Sequence, residues 1–123
     1  MHLFLKFTIV ALLFSATSAN AQKSLDALLQ QYNTRSIPYI SVEGLRALQT
    51  KEDIILLDTR EEAEFGISRL QGAQYAGFND FSANKISEEI TDKDTPIIVY
   101  CSLGIRSEEI GEKLQKAGLH FMQ

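Results

Sequence analysis

Residues 96–118 read "PIIVYCSLGIRSEEIGEKLQKAG", and the chain's single cysteine, Cys101, sits at their hinge. Before it runs "IIVY", an unbroken stretch of β-formers of the kind that is buried on both faces of a parallel sheet. After it, from Arg106, Ile110, Leu114 and Ala117 fall on one helical stripe. Glu109–Lys113 and Glu112–Lys116 are spaced as i,i+4 pairs, and Gly118 supplies a stop. A strand entering a helix through a short Gly-bearing turn builds an anion-binding loop, because Gly104 admits backbone geometry that other residues resist. Successive N–H groups then turn inward at the positive end of the helix. A cysteine placed there has its thiolate favoured.

Working outward, the pattern repeats. "DIILLD" (53–58) is a second apolar run bounded by acids, read as a buried parallel strand, and "EEAEF" (61–65) opens a helix with acids suited to its N-terminus. "QGAQYAG" (71–77) allows a short strand, and Phe81, Ile86 and Ile90 mark a crossover. Upstream, "IPYIS" (37–41) reads as a short strand. "SVEGLRALQ" (41–49) reads as a helix capped by Ser41, with Val42, Leu45 and Leu48 on one face. "SLDALLQQYN" (24–33) reads as a helix with Ser24 as N-cap. Alternating β and α elements imply an α/β fold with a central parallel sheet and helices on both faces. In such sheets ligands bind beyond the carboxyl ends of the strands. Cys101 leaves one such end, and Asp58, Thr59 and Arg60 leave another on the same edge.

The 123 residues suffice for one small domain. Residues 1–21, "MHLFLKFTIVALLFSATSANA", carry Lys6, an apolar run from Phe7 to Phe14 and an Ala19-Asn20-Ala21 ending. This is the layout of a secretory signal peptide cleaved after Ala21, and the run is shorter than the roughly eighteen residues a span needs. The protein is therefore expected to be exported, periplasmic or extracellular. Residues 22–36 would form a helical extension or linker, and 37–123 the domain. Losing the leader removes Lys6 and no acid, taking the net charge from −4 to −5. That balance argues against nucleic-acid or anionic-membrane partners.

One cysteine makes no internal disulfide, which leaves Cys101 as inert core, an intermolecular bridge or a reactive thiol. Cys101 and His120 are too few ligands for structural zinc, so no metal or cofactor is expected. His120 lies about 17 Å beyond the start of the last helix at about 1.5 Å per residue, so a Cys–His dyad is not expected. Glu108 and Glu109 read as a solvated first turn favoured by the helix dipole. Gly66 and Gly111 read as merely tolerated.

"CSLGIRS" (101–107) resembles the rhodanese active-site loop, a cysteine and four residues before an arginine. "LLDTREEAEFGISRLQGA" (56–73) is similar to that family's other signature through Asp58, Arg60, Glu64, Phe65, Gly72 and Ala73. The resemblance implies a rhodanese-like three-layer fold and sulfur transfer through a Cys101 persulfide, from a small sulfur donor to a thiol or cyanide-like acceptor. Backbone N–H groups of Ser102, Leu103, Gly104, Ile105 and Arg106 would cradle the anion. Arg106 would brace the loop or attract substrate, and Asp58, Arg60, Arg69 and Ser107 would support it. A non-catalytic or redox-sensing module is the alternative, and a cell-division-cycle-type phosphatase is disfavoured because its loop is one residue longer. Ser68-Arg69-Leu70 stands where the family carries Gly-His-Ile, and Ser102 and Leu103 are neutral where thiosulfate users are often basic. "LHFMQ" (119–123) begins a strand that the family follows with a turn and a last helix. The expectation is a C-terminally incomplete domain lacking that strand's remainder and helix, with a stability deficit.

Overall fold

The computed structural model describes residues 21, 22 and 24–123. The expected leader over 1–21 lies outside the described residues except for Ala21. The chain divides into a unit ending at Thr34 and a unit spanning Arg35–Gln123. In the first, residues 24–32 are helical, and Asn33 N donates to Leu29 O at 2.7 Å. Ser24 is itself helical and residues 21 and 22 are too, so Ser24 is not the cap expected of it.

The second unit is built from α1 (Val42–Lys51), β1 (Ile55–Asp58), α2 (Glu62–Ile67), β2 (Ala73–Tyr75), α3 (Ala83–Glu89), β3 (Ile97–Tyr100), α4 (Ile105–Lys116) and β4 (Phe121–Met122). The four strands form one sheet in the order β2-β1-β3-β4, and every pairing is parallel. This is an α/β rhodanese-like fold, a parallel sheet flanked by helices. The register sets Asp58 opposite Tyr100, so the two central strands end level and release their loops on one edge.

Alternation along the strands divides the core. Leu57, Ile97 and Val99 face Ile110 and Leu114 of α4, with Ile86 and Ile90 closing the same cluster from α3 and its C-cap. Ile110 and Leu114 have no exposed surface, and burial of each contributes about 1.5–3 kcal/mol. Leu56 points to the opposite face, where it lines a cavity of about 200 Å³ with Val42 and Leu45 of α1 and Leu70. Val42 shares that cavity with Leu45, as expected of one helix face, but it sits on the rim and is 71% exposed.

Local signals explain the helix ends. Ser41 Oγ accepts from Gly44 N at 3.0 Å, capping α1. At the end of α4, Gly118 N donates to Gln115 O and Leu119 N to Leu114 O, the Schellman pattern. Of the two expected ion pairs on α4, Glu109–Lys113 forms at 4.0 Å. Glu112 instead accepts from Ser36 Oγ at 2.7 Å.

The segment "IPYIS" does not form the expected strand. Pro38 offers no N–H, and the segment makes one parallel bridge: Gln123 N donates to Pro38 O at 3.0 Å and Ile40 N to Gln123 O at 2.7 Å. That bridge lies on the outer edge of β4. It brings Ile37 against α4, where a Cβ on Gly111 would stand 2.2 Å from Ile37 Cδ1. Ile37 is buried at 3% exposure, so Gly111 is a requirement of close approach rather than the tolerated residue its helical position suggests.

Candidate active site

The loop between β3 and α4 carries the site. Gly104 is the N-cap of α4 at φ 80°, a left-handed conformation that a side chain resists. This turn brings Gly104 N to 3.1 Å from Cys101 Sγ, to which it donates. Cys101 Sγ, as a thiol, donates to Ser107 Oγ at 3.5 Å. Burial pushes the Cys101 thiol up. The Ser107 hydroxyl and backbone N–H groups of Ser107, Leu103 and Gly104 outweigh that, so its pKa lies below the ordinary thiol value. The half-buried Cys101 borders a cavity of about 180 Å³ lined by Tyr39, Ile40, Val99, Tyr100, Gly104, Ser107 and Gln123. Leu103 projects from the loop at 49% exposure.

The strand ends are locked by a polar cluster. Arg60 grips the fully buried Asp58 through Nε at 3.0 and 3.1 Å and Nη2 at 2.7 Å, and Arg60 N adds a bond at 2.9 Å. Tyr100 OH donates to Asp58 Oδ2 at 2.8 Å and accepts from Leu70 N at 3.1 Å, while Arg60 Nη2 donates to Ser68 O at 2.6 Å. Burial opposes ionisation of Asp58. The bonds from the Arg60 side chain and backbone and from Tyr100 overcome it and hold the carboxyl below its ordinary range. Burial, joined by the bond to Asp58, pushes the Tyr100 phenol up. Thr59 N and Oγ1 both donate to Tyr100 O, at 3.0 and 2.9 Å, fixing the residue directly before Cys101.

Arg106 donates to both carboxylate oxygens of Glu64, at 3.1 and 3.4 Å. These bonds hold Glu64 below its ordinary pKa and raise Arg106. Glu64 Oε2 also accepts from Glu61 N at 2.8 Å, so the arginine is anchored to the first turn of α2. Arg69 lies on α2's own surface, 4.5 Å from the Phe65 ring centroid and bonded to Phe65 O at 3.3 Å. Cys101, Gly104 and Ser107 are thus brought together. Asp58 and Arg60 support the strand ends, and Arg106 ties the loop to Glu64. His120 sits at the other edge of the sheet, where its carbonyl accepts from Ile97 N at the start of β3.

Glu108 is a correction to the sequence reading. It is buried at 3% exposure rather than solvated. Its carboxylate accepts from Tyr39 OH at 2.8 Å, Ser36 N at 3.5 Å and Gln123 Nε2 at 3.5 Å. Burial and the bond to Glu108 raise the Tyr39 phenol. The one available signal was Gly111, on the next turn of the same helix, which lets the 36–39 segment close over Glu108.

The chain's matches to known proteins agree with this geometry. The Rhodanese-like domain family matches residues 41–122. A tRNA uridine(34) hydroxylase of Protochlamydia amoebophila is 30% identical over 83 residues, covering 63% of this chain and 26% of that protein. The adenylyltransferase and sulfurtransferase uba4 of Sclerotinia sclerotiorum is 28% identical over 89 residues, 65% of this chain and 19% of that one. YibN of Escherichia coli is 28% identical over 85 residues, 69% of this chain and 59% of that protein. The chain therefore spans about a quarter or less of the first two relatives. A rhodanese-like domain protein from Staphylococcus aureus shares the fold, with a TM-score of 0.54 at 17% identity over 70% of this chain and 82% of that one. With the family match extending from the cap of α1 to the end of β4, the chain belongs to the rhodanese-like domain family.

Proposed function

We propose that the protein is an exported sulfurtransferase that carries sulfane sulfur on Cys101. The observation that carries the reading is the seating of Cys101 Sγ on Gly104 N at the start of α4, where inward N–H groups favour an anionic sulfur. Export rests on the leader pattern of residues 1–21.

The chemistry is a two-step exchange. The Cys101 thiolate attacks the outer sulfur of a donor such as thiosulfate. The new S–S bond forms as the donor's own S–S bond breaks, and sulfite leaves with the electron pair. A thiol or cyanide-like acceptor then attacks the outer sulfur of the persulfide and releases the Cys101 thiolate. Neither step requires a redox cofactor, because the sulfur itself carries the change. The loop's N–H groups hold the persulfide anion between steps.

The test is intact mass of the purified protein after exposure to thiosulfate or polysulfide, beside Cys101→Ser. A gain of one sulfur atom, reversed by reductant and absent from the serine variant, is the expected result. Folded protein that gains no sulfur would assign the chain to the non-catalytic members of its family.

A further inference from the structure

Glu108 is a buried carboxylate that the two-step exchange does not use, yet a chain of side chains joins it to the nucleophile. Gln123 Nε2 lies 3.5 Å from Glu108 Oε2, the other end of the same amide, Oε1, contacts Ser107 Oγ, and Ser107 Oγ lies 3.5 Å from Cys101 Sγ. We propose that Glu108 is a positioning residue for Cys101, deciding through Gln123 which way the Ser107 hydroxyl proton points. The proposal takes Cys101 as the reacting thiol, as in the function proposed above.

A count of donors fixes the arrangement. An ionised carboxylate only accepts, so the amide nitrogen of Gln123 must face Glu108 and its oxygen must face Ser107. Two oxygens in contact need a proton between them, and it comes from the Ser107 hydroxyl. Ser107 then presents a lone pair to Cys101. That lone pair receives the proton of a thiol, and the hydroxyl supports the thiolate only when its proton turns from Gln123 to Sγ. The hydroxyl has one proton, and the backbone Gly104 O, 3.2 Å away, also competes for it.

Turning that proton to Sγ requires Gln123 to rotate. Rotation puts the amide oxygen against position 108, which is tolerated only if that group can donate. An ionised Glu108 therefore restrains the thiolate, and a neutral group at 108 releases it.

Other charged groups surround the thiol. Arg106 is paired with Glu64 on one side, Asp58 is paired with Arg60 and Tyr100 at the strand ends, and Tyr39 lines the cavity. None of these residues is replaced in the variants below, and the Ser107→Ala background carries whatever change Glu108→Gln makes in the field of Tyr39, which is bonded to Glu108.

The experiment measures the rate of Cys101 alkylation by iodoacetamide against pH in the purified full chain. Glu108→Gln should lower the midpoint by about one pH unit, the worth of one hydrogen bond gained by the thiolate. Gln123→Met should also lower it, although Glu108 is left unchanged. In a Ser107→Ala background, Glu108→Gln should produce no further shift. A shift that persists in that background reports the direct field of the charge and overturns the proposal, as does an unmoved midpoint in Gln123→Met. If Glu108→Gln does not fold, Gln123→Met decides alone. Alkylation needs no sulfur donor, so the result is independent of whether sulfur transfer itself is observed.

Discussion

Glu64 and Arg106 lie 42 positions apart and meet in a two-pronged ion pair that ties the first turn of α2 to the first turn of α4. The pair satisfies the arginine that a cysteine-loop enzyme would otherwise present to an anionic donor. Releasing it should change chemistry more than stability, because both side chains are partly exposed. Glu64→Gln is expected to speed sulfur uptake from thiosulfate by roughly threefold at low ionic strength, an advantage that added salt removes. Arg106→Met should slow it. Uptake followed by intact mass at two salt concentrations checks both. Loss of uptake in both variants would show that the pair acts only as a brace.

Asp58 is expected to hold the strand ends together in a pH-dependent way. Its folded pKa is depressed, so its contribution is present above the unfolded carboxyl value and is lost as pH falls through the folded one. Stability to urea should therefore fall as pH drops from about 5 towards 2. Asp58→Asn should flatten that part of the profile. Asp58→Ala strands the Arg60 guanidinium and the Tyr100 hydroxyl, and should cost about 3 kcal/mol at neutral pH. A profile with unchanged slope in Asp58→Asn would assign the acid sensitivity elsewhere.

Gly104 should be the least replaceable residue of the loop. An alanine held at its φ of 80° costs about 1–2 kcal/mol. Relaxing that strain draws Gly104 N away from Sγ. Gly104→Ala is expected to lower the urea midpoint by a corresponding amount and to raise the pH at which Cys101 alkylates. Unchanged alkylation in a folded variant would show that this N–H does not support the thiolate.

Ile110 should behave as core and nothing else. It has no exposed surface and belongs to the cluster formed by Leu57, Ile97, Val99 and Leu114. Ile110→Ala is expected to cost about 2–5 kcal/mol in urea unfolding. At temperatures where the variant remains folded, its sulfur uptake should match that of the parent.

Much of this architecture was legible from local chemistry. The apolar runs around Leu57 and Val99 announced parallel strands. The Cys101–Gly104–Arg106 spacing placed the loop, and Ser41 and Gly118 marked helix ends. What escaped was decided between residues far apart in the chain. Glu108 satisfies every local rule for a solvated first turn. It is buried because Gly111 has no side chain and Ile37 closes in from the other end of the domain. The partner of Arg106 was written inside the second signature as Glu64, but only the packing of α2 beside the loop makes them meet. Val42 kept the helical period of Leu45 and Leu48, yet it ends on the rim of their face at 71% exposure.

The bridge between Gln123 and the Pro38–Ile40 segment has a kinetic consequence. The described sheet contains no hairpin: each parallel pairing must wait for a crossover to close, and this bridge joins the most distant partners of all. Chains dominated by such non-local pairings fold slowly. The environment of Cys101 is finished only when Tyr39 and Gln123 have arrived at its cavity. During refolding, the thiol should therefore acquire its native alkylation rate in the last kinetic phase, after the helical signal has recovered, and the cysteine serves as a clock for completion of the fold.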